Sequence, residues 1–127
     1  MVGIVIVSHS QRLAEGVVEL AKMMAPSAKV VAAGGLEDGG LGTSFEKIVQ
    51  AVEKVYDEDG VAILMDMGSA VMTAEMVVEN LEDKKISLLD CPLVEGAVVA
   101  AVEAQIGSSL ETIKQRAVES RTTNKIL

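Results

Sequence analysis

The feature that most constrains the fold is a short apolar run near the start of the chain, from Val2 to Val7, which ends abruptly at Ser8, His9 and Ser10. A short run rich in β-branched residues predicts a strand buried on both faces, as in a parallel sheet covered by helices. Apolar residues at helical spacing follow it, so a helix is expected next. His9 is therefore expected at the carboxyl end of a central strand, where open α/β sheets bind ligands.

The same unit of strand and helix recurs along the chain. Further short apolar runs predict strands at 29–33, 61–65 and 86–89. Apolar residues at helical spacing predict helices whose core-facing residues span 13–24, 45–56, 71–81, 94–106 and 110–117. The helix at 94–106 is apolar on nearly all sides, which suggests that it also packs against a second subunit.

Two helix starts carry the pattern of a capping box, a hydroxyl residue followed three positions later by a glutamate. Thr43 with Glu46 predicts the start of the second helix, and Ser108 with Glu111 predicts the start of the last one. A glycine-rich loop, 34–42, precedes the first of these boxes. It matches neither a Walker P-loop nor a GxGxxG fingerprint, so no nucleotide site is expected.

The predicted order β-α-β-α-β-α-β-α-α is typical of an open, doubly wound parallel sheet of four strands with helices on both faces. A chain of 127 residues has room for one domain, 1–127. The simplest strand order is 2-1-3-4, with its switch point between strands one and three. His9 ends the first of these strands and Asp66 follows the third, so we expect the two side chains to meet.

His9, the only histidine, suggests nucleophilic chemistry because its neutral ring reacts near neutral pH. A lone histidine is more often structural, and Asp66 alone would be read as a helix N-cap. Neighbouring strands lie about 4.8 Å apart, however, so Asp66 is within reach of one ring nitrogen of His9. A carboxylate there would set the tautomer and leave the other nitrogen free to attack phosphorus.

A phosphoryl group on His9 would need hydrogen-bond donors for its oxygens. Backbone N–H groups at strand-to-helix corners suit an anion. The expected phosphate-binding residues are Ser10, the Gly42–Thr43 turn and the Gly68–Ser69 turn. The hydroxyls of Ser10 and Ser69 have an alternative role as helix caps.

The charge and composition exclude several kinds of partner. The net charge is −8, with only 11 basic residues, which argues against nucleic acid and an anionic membrane. One cysteine, Cys91, and one histidine cannot supply the usual zinc site, and we expect no metal and no cofactor. The N-terminus lacks a basic region before its apolar run, so a cytoplasmic location is expected.

Four motifs carry a family resemblance, which extends over essentially the whole chain. They are 3–10 (GIVIVSHS), 39–44 (GGLGTS), 66–70 (DMGSA) and 93–97 (LVEGA). In this order they resemble the phosphocarrier subunits of bacterial phosphoenolpyruvate-dependent dihydroxyacetone kinases, which have the mannose-type enzyme IIA fold. The resemblance implies a phosphotransferase function, with His9 as the phosphorylated residue and Asp66 as its partner.

The resemblance also implies partners. A homodimer would accept the phosphoryl group from the small phosphocarrier HPr. It would then pass the group to ADP bound on a nucleotide-binding kinase subunit, while a third subunit holds dihydroxyacetone. The main alternative is a mannose-type enzyme IIA of sugar transport, with the same histidine and a different acceptor.

Other classes of protein fit the residues less well. A receiver domain needs an acidic pair where Ser8 and His9 stand, together with a fifth strand. A serine hydrolase would need a Gly-x-Ser-x-Gly elbow, which the sequence lacks. A purely structural dimerisation module would tolerate the loss of His9, which makes that residue the one to test.

Overall fold

A parallel sheet of four short strands forms the centre of the computed structural model, which describes all residues from 1 to 127. The strands are β1 (Gly3–Ser8), β2 (Val30–Gly34), β3 (Val61–Met65) and β4 (Ile86–Leu89). The helices are α1 (Gln11–Met24), α2 (Phe45–Val55), α3 (Gly68–Asn80), α4 (Leu93–Gln105) and α5 (Leu110–Glu119). None of the helices combines the length and apolar character needed to cross a membrane.

The strand order is β2-β1-β3-β4, and all pairs are parallel, as predicted from the sequence. All six residues of β1 are buried, because a strand in the middle of a sheet covered by helices meets protein on both faces. In the register, Ser8 lies opposite Gly34, and Val7 lies opposite Met65. The residues that follow β1 and β3 therefore leave the sheet side by side.

Two hydrophobic cores cover the two faces of the sheet. Alternate residues of β1 point to opposite cores: Ile4 and Ile6 join α1, α4 and α5, whereas Val5 and Val7 join α2 and α3. Helix α4 packs against both α1 and α5 as well as the sheet. These contacts within one chain account for much of the apolar character of α4 that had suggested a second subunit.

Two helix starts differ from the predicted caps, and a third has no side-chain cap. Ser44, one residue after Thr43, caps α2 by accepting a hydrogen bond from the Lys47 amide. In the same way Ser109, and not Ser108, caps α5. Both predictions were wrong by one residue, because two adjacent hydroxyl residues were available and the path of the loop selects the second. Helix α3 has Met67 at its N-cap position and no side-chain cap.

The end of β2 and the start of α1 approach each other closely at the edge of the sheet near His9. A Cβ on Gly34 would lie 2.6 Å from the Ser10 carbonyl oxygen and 2.8 Å from the Gln11 Cα. Only glycine leaves this space open. The start of α1 is therefore held tightly against the end of β2.

Candidate active site

His9 and Asp66 meet at the carboxyl edge of the sheet, at the switch point between β1 and β3. The His9 Nδ1 atom lies 2.9 Å from Asp66 Oδ1. The His9 side chain is 24% exposed, whereas the Asp66 side chain is only 11% exposed. The carboxylate is thus sheltered behind a ring that solvent and a partner can reach.

The Asp66 carboxylate accepts hydrogen bonds from four donors. Oδ2 accepts from the Ser8 hydroxyl at 2.8 Å and from the His9 amide at 3.0 Å. Oδ1 accepts from the His9 ring and from the Met67 amide at 2.7 Å. Burial raises the pKa of Asp66, but these hydrogen bonds outweigh it and hold the pKa below its ordinary value. Asp66 is therefore a carboxylate at neutral pH.

The hydrogen-bond network assigns the tautomer of the His9 ring. An ionised carboxylate has no proton to give, so Nδ1 carries the proton and donates it to Asp66. Nε2 then carries the free lone pair and contacts the Ser69 hydroxyl, which donates to it. The nitrogen that can act as a nucleophile is consequently Nε2, the one pointing away from Asp66.

The predicted phosphate-binding residues divide into two groups. Gly68 and Ser69 begin α3, where backbone N–H groups have no acceptor inside the helix, and Ser69 already touches Nε2. The amides of Ser10 and Gly42, in contrast, donate to Ser8 Oγ and to the His9 carbonyl oxygen. For these two residues phosphate binding stays a prediction that would require each amide to change its partner.

Thr43 lies near the site through a contact that the sequence did not indicate. Its hydroxyl is 3.0 Å from the hydroxyl of Thr73, which donates to the carbonyl oxygen of Ser69. These two hydrogen bonds tie the loop before α2 to the first turn of α3. Phosphate binding by Thr43 also stays a prediction.

Sequence reasoning missed two residues, Ser8 and Thr73. Ser8 is fully buried, and the available signal was a polar residue at the last position of an otherwise apolar strand. Thr73 had no such signal, because its role depends on the distance between α2 and α3. No three His, Cys, Asp or Glu side chains are grouped to hold a metal ion.

Comparison with known proteins identifies a family over most of the chain. Residues 3–114 match the family model EIIA-man, described as PTS system fructose IIA component. The chain is 43% identical, over 120 residues, to the phosphoryl donor subunit DhaM of the PEP-dependent dihydroxyacetone kinase from Escherichia coli (strain K12). That match covers 89% of this chain but 25% of the relative, so the chain spans about a quarter of its length.

A second relative has nearly the same length as this chain. The phosphotransferase subunit DhaM of the PTS-dependent dihydroxyacetone kinase from Lactococcus lactis subsp. lactis (strain IL1403) is 39% identical over 114 residues. That match covers 90% of this chain and 91% of the relative. Among solved structures, the crystal structure of the unknown function protein EF1359 matches with a TM-score of 0.82 and 29% identity, and the match covers 100% of both chains.

Proposed function

The chain belongs to the mannose-type enzyme IIA family, among the phosphoryl donor subunits of dihydroxyacetone kinases, and we propose that it carries a phosphoryl group on Nε2 of His9. The observation that carries this proposal is the Nδ1–Asp66 hydrogen bond of 2.9 Å, which leaves Nε2 as the free nucleophile. Nε2 also faces the open start of α3, where an anion is stabilised.

The transfer to this chain is a single displacement at phosphorus. The Nε2 lone pair attacks, the bond between phosphorus and the donor breaks, and the electron pair of that bond leaves with the donor. The Nδ1 proton stays between the ring and Asp66, which stabilises the positive charge that develops on the ring. The Ser69 hydroxyl turns from Nε2 toward a phosphoryl oxygen, where the amides of Gly68 and Ser69 also donate.

The transfer out of the chain reverses the same step. An oxygen of the acceptor attacks phosphorus, the Nε2–phosphorus bond breaks, and neutral His9 is regenerated with its proton still on Nδ1. Each helix terminus stabilises the anion by roughly 0.3 to 1 kcal/mol, which holds the phosphoryl group without trapping it. The chain is in this sense a carrier within a kinase system, and it does not need to bind the final substrate.

The partners follow from the family. We infer that HPr supplies the phosphoryl group and that ADP on the nucleotide-binding kinase subunit receives it for the phosphorylation of dihydroxyacetone. We also infer a homodimer, for which the part-exposed apolar residues of α4, such as Val94 and Val98, leave a surface. Sedimentation of the purified chain at several concentrations measures whether it forms this dimer.

The test is transfer of labelled phosphate from phosphoenolpyruvate through enzyme I and HPr, followed by a chase onto the ADP-loaded kinase subunit. The wild-type chain is expected to take up label as acid-labile phosphohistidine and to lose it in the chase. His9→Ala removes the nucleophile and should take up none. Asp66→Asn should slow labelling by roughly 100-fold or more, because an amide presents its NH₂ group to donors and favours the wrong tautomer.

Each failure of this test has a distinct meaning. A wild-type chain that never takes up label contradicts the carrier function, and His9 is then a structural residue. Label that enters but does not chase onto the kinase subunit contradicts the dihydroxyacetone assignment and favours a sugar-transport enzyme IIA. Label on His9→Ala contradicts the assignment of the site.

A further inference from the structure

We propose that Ser8 is a positioning residue that holds the Asp66 carboxylate in the orientation needed to keep the proton of His9 on Nδ1. Ser8 ends β1 and lies directly before His9 in the chain. It has no exposed surface, and Ser8 and Ser44 are the two buried polar residues of the chain. The functional meaning of this role rests on the proposed phosphorylation of His9.

The hydrogen bonds of Ser8 have one consistent direction. The Ser10 amide donates to Ser8 Oγ at 3.0 Å, and the Ser8 hydroxyl donates to Asp66 Oδ2 at 2.8 Å. An amide cannot accept and an ionised carboxylate cannot donate, so the single hydroxyl proton of Ser8 is committed to Asp66. The start of α1 is thereby linked to the carboxylate through one buried hydroxyl.

This bond decides how the carboxylate is turned. A carboxylate has about four lone-pair sites, and the four donors around Asp66 fill them in pairs, two on each oxygen. The donors on Oδ2, the Ser8 hydroxyl and the His9 amide, hold that oxygen toward the end of β1. Oδ1 is then directed at Nδ1. Without the hydroxyl, one main-chain bond alone would restrain Oδ2.

The same bond affects the charge on the carboxylate. A hydrogen bond donated to an anion draws electron density toward the donor and makes the anion less basic. The Ser8 hydroxyl thus counteracts the burial of Asp66, which favours the protonated acid. A proton on Oδ1 would make that oxygen a donor to Nδ1 and leave the ring proton on Nε2, so the two ring nitrogens would exchange roles.

The experiment compares Ser8→Ala with Ser8→Thr, which retains the hydroxyl. The first readout is the tautomer of the His9 ring, measured in the unphosphorylated protein at pH 8 from two-bond ¹H–¹⁵N correlations, where Nδ1–H and Nε2–H rings differ. The second readout is the rate of labelling by phospho-HPr. Ser109→Ala, which removes the α5 cap hydroxyl far from His9, is the matched control for a general loss of stability.

Ser8→Ala is expected to shift the ring toward a mixture of tautomers and to slow labelling about tenfold, the scale seen when hydrogen-bond partners of metal-bound histidines are removed. Ser8→Thr should keep the Nδ1–H tautomer and recover most of the rate, while Ser109→Ala changes neither readout. The proposal is overturned if Ser8→Ala retains the wild-type tautomer and rate. It is also overturned if Ser109→Ala reproduces the Ser8→Ala changes, because the effect would then be general destabilisation.

The tautomer is measured without any phosphoryl donor. A wild-type chain that shows the Nδ1–H tautomer but accepts no label would therefore contradict the proposed function while leaving the role of Ser8 to be judged from the spectra alone. A change in tautomer with Ser8→Ala in that case still supports the positioning role.

Discussion

At the scale of single residues, the environment of Asp66 decides which nitrogen of His9 carries the free lone pair. A neutral imidazole has one protonated nitrogen and one free lone pair, and an acceptor beside either nitrogen selects between them. Asp66 is placed beside Nδ1 by donors from both strands that meet at the switch point: Ser8 ends β1, the His9 amide follows it, and the Met67 amide follows β3. The free lone pair on Nε2 is therefore set by backbone geometry as much as by the side chains.

The lowered pKa of Asp66 predicts how the free energy of unfolding depends on pH. Its folded pKa lies below the ordinary value of 3.8, so its stabilisation is fully present above that value and is lost as the pH falls through the folded pKa. Asp66→Asn should lower the free energy of unfolding by about 2 kcal/mol at pH 7, because donors to a charged acceptor lose their partner. Urea unfolding of both proteins from pH 7 to pH 2.5 measures the difference, which should shrink below about pH 4.

Asp57 gives a comparison at the opposite edge of the sheet. A hydrogen bond from Lys29 lowers the pKa of Asp57 to about 2, but the carboxylate is 40% exposed. Solvent screens such a pair, so Asp57→Asn should cost clearly less stability at pH 7 than Asp66→Asn. An equal or larger loss for Asp57→Asn would contradict the argument from burial.

At the scale of secondary-structure elements, the start of α1 depends on the end of β2. Ser10 is the N-cap of α1 and accepts from the Leu13 amide, while its carbonyl oxygen lies where a side chain on Gly34 would be. The Gly42 amide donates to the His9 carbonyl oxygen at 2.8 Å and ties the glycine-rich loop to the same turn. The turn that contains His9 is thus held by β2 and by the glycine-rich loop as well as by α1.

Two glycine substitutions test this packing, and one of them is the control. Gly34→Ala should destabilise the protein by about 1 to 3 kcal/mol and slow the labelling of His9, because the new methyl group pushes the start of α1 outward. Gly16→Ala lies in the exposed middle of α1, with nothing within 4 Å of the added Cβ, and should stabilise by up to about 1 kcal/mol. Thermal unfolding and labelling rates of both variants check the pair. Stability unchanged by Gly34→Ala would show that the turn is not tightly packed.

At the scale of the whole molecule, three exposed methionines lie on or next to the helix that reaches His9. The chain carries a net charge of −8, yet Met67, Met72 and Met76 are each more than half exposed, at 62%, 66% and 52%. We call these three residues the methionine surface. They lie just before and along α3, the helix whose Ser69 touches Nε2. Flexible methionine side chains suit the proposed carrier, which would fit a donor and an acceptor in turn.

A substitution on the methionine surface should separate docking from chemistry. Met72→Glu is expected to slow labelling by phospho-HPr about tenfold, the effect of losing one important interface side chain. Labelling by phosphoramidate should stay unchanged, because a small donor needs no docking surface. Met23→Glu is the control, since Met23 is 69% exposed near the far end of α1. If Met72→Glu slowed both donors equally, the residue would act on the site itself and not on docking.

The sequence by itself determined the class of fold and the central pair of the site. Short β-branched runs alternating with helical periodicity require a parallel sheet covered on both faces, and the predicted strand order 2-1-3-4 was confirmed. With that order, polar residues at the ends of β1 and β3 necessarily share one edge, which is why His9 and Asp66 were predicted to meet.

Only the tertiary structure decided the finer arrangement. It selected Ser44 over Thr43 as the cap of α2, paired Thr43 with Thr73, and placed the hydroxyls of Ser8 and Ser69 on Asp66 and His9. Residue patterns report the periodicity of burial, which is a local property of the chain. A hydrogen bond between residues about 60 positions apart depends on distances of a few tenths of an ångström, and these arise only when strands, loops and helices pack together.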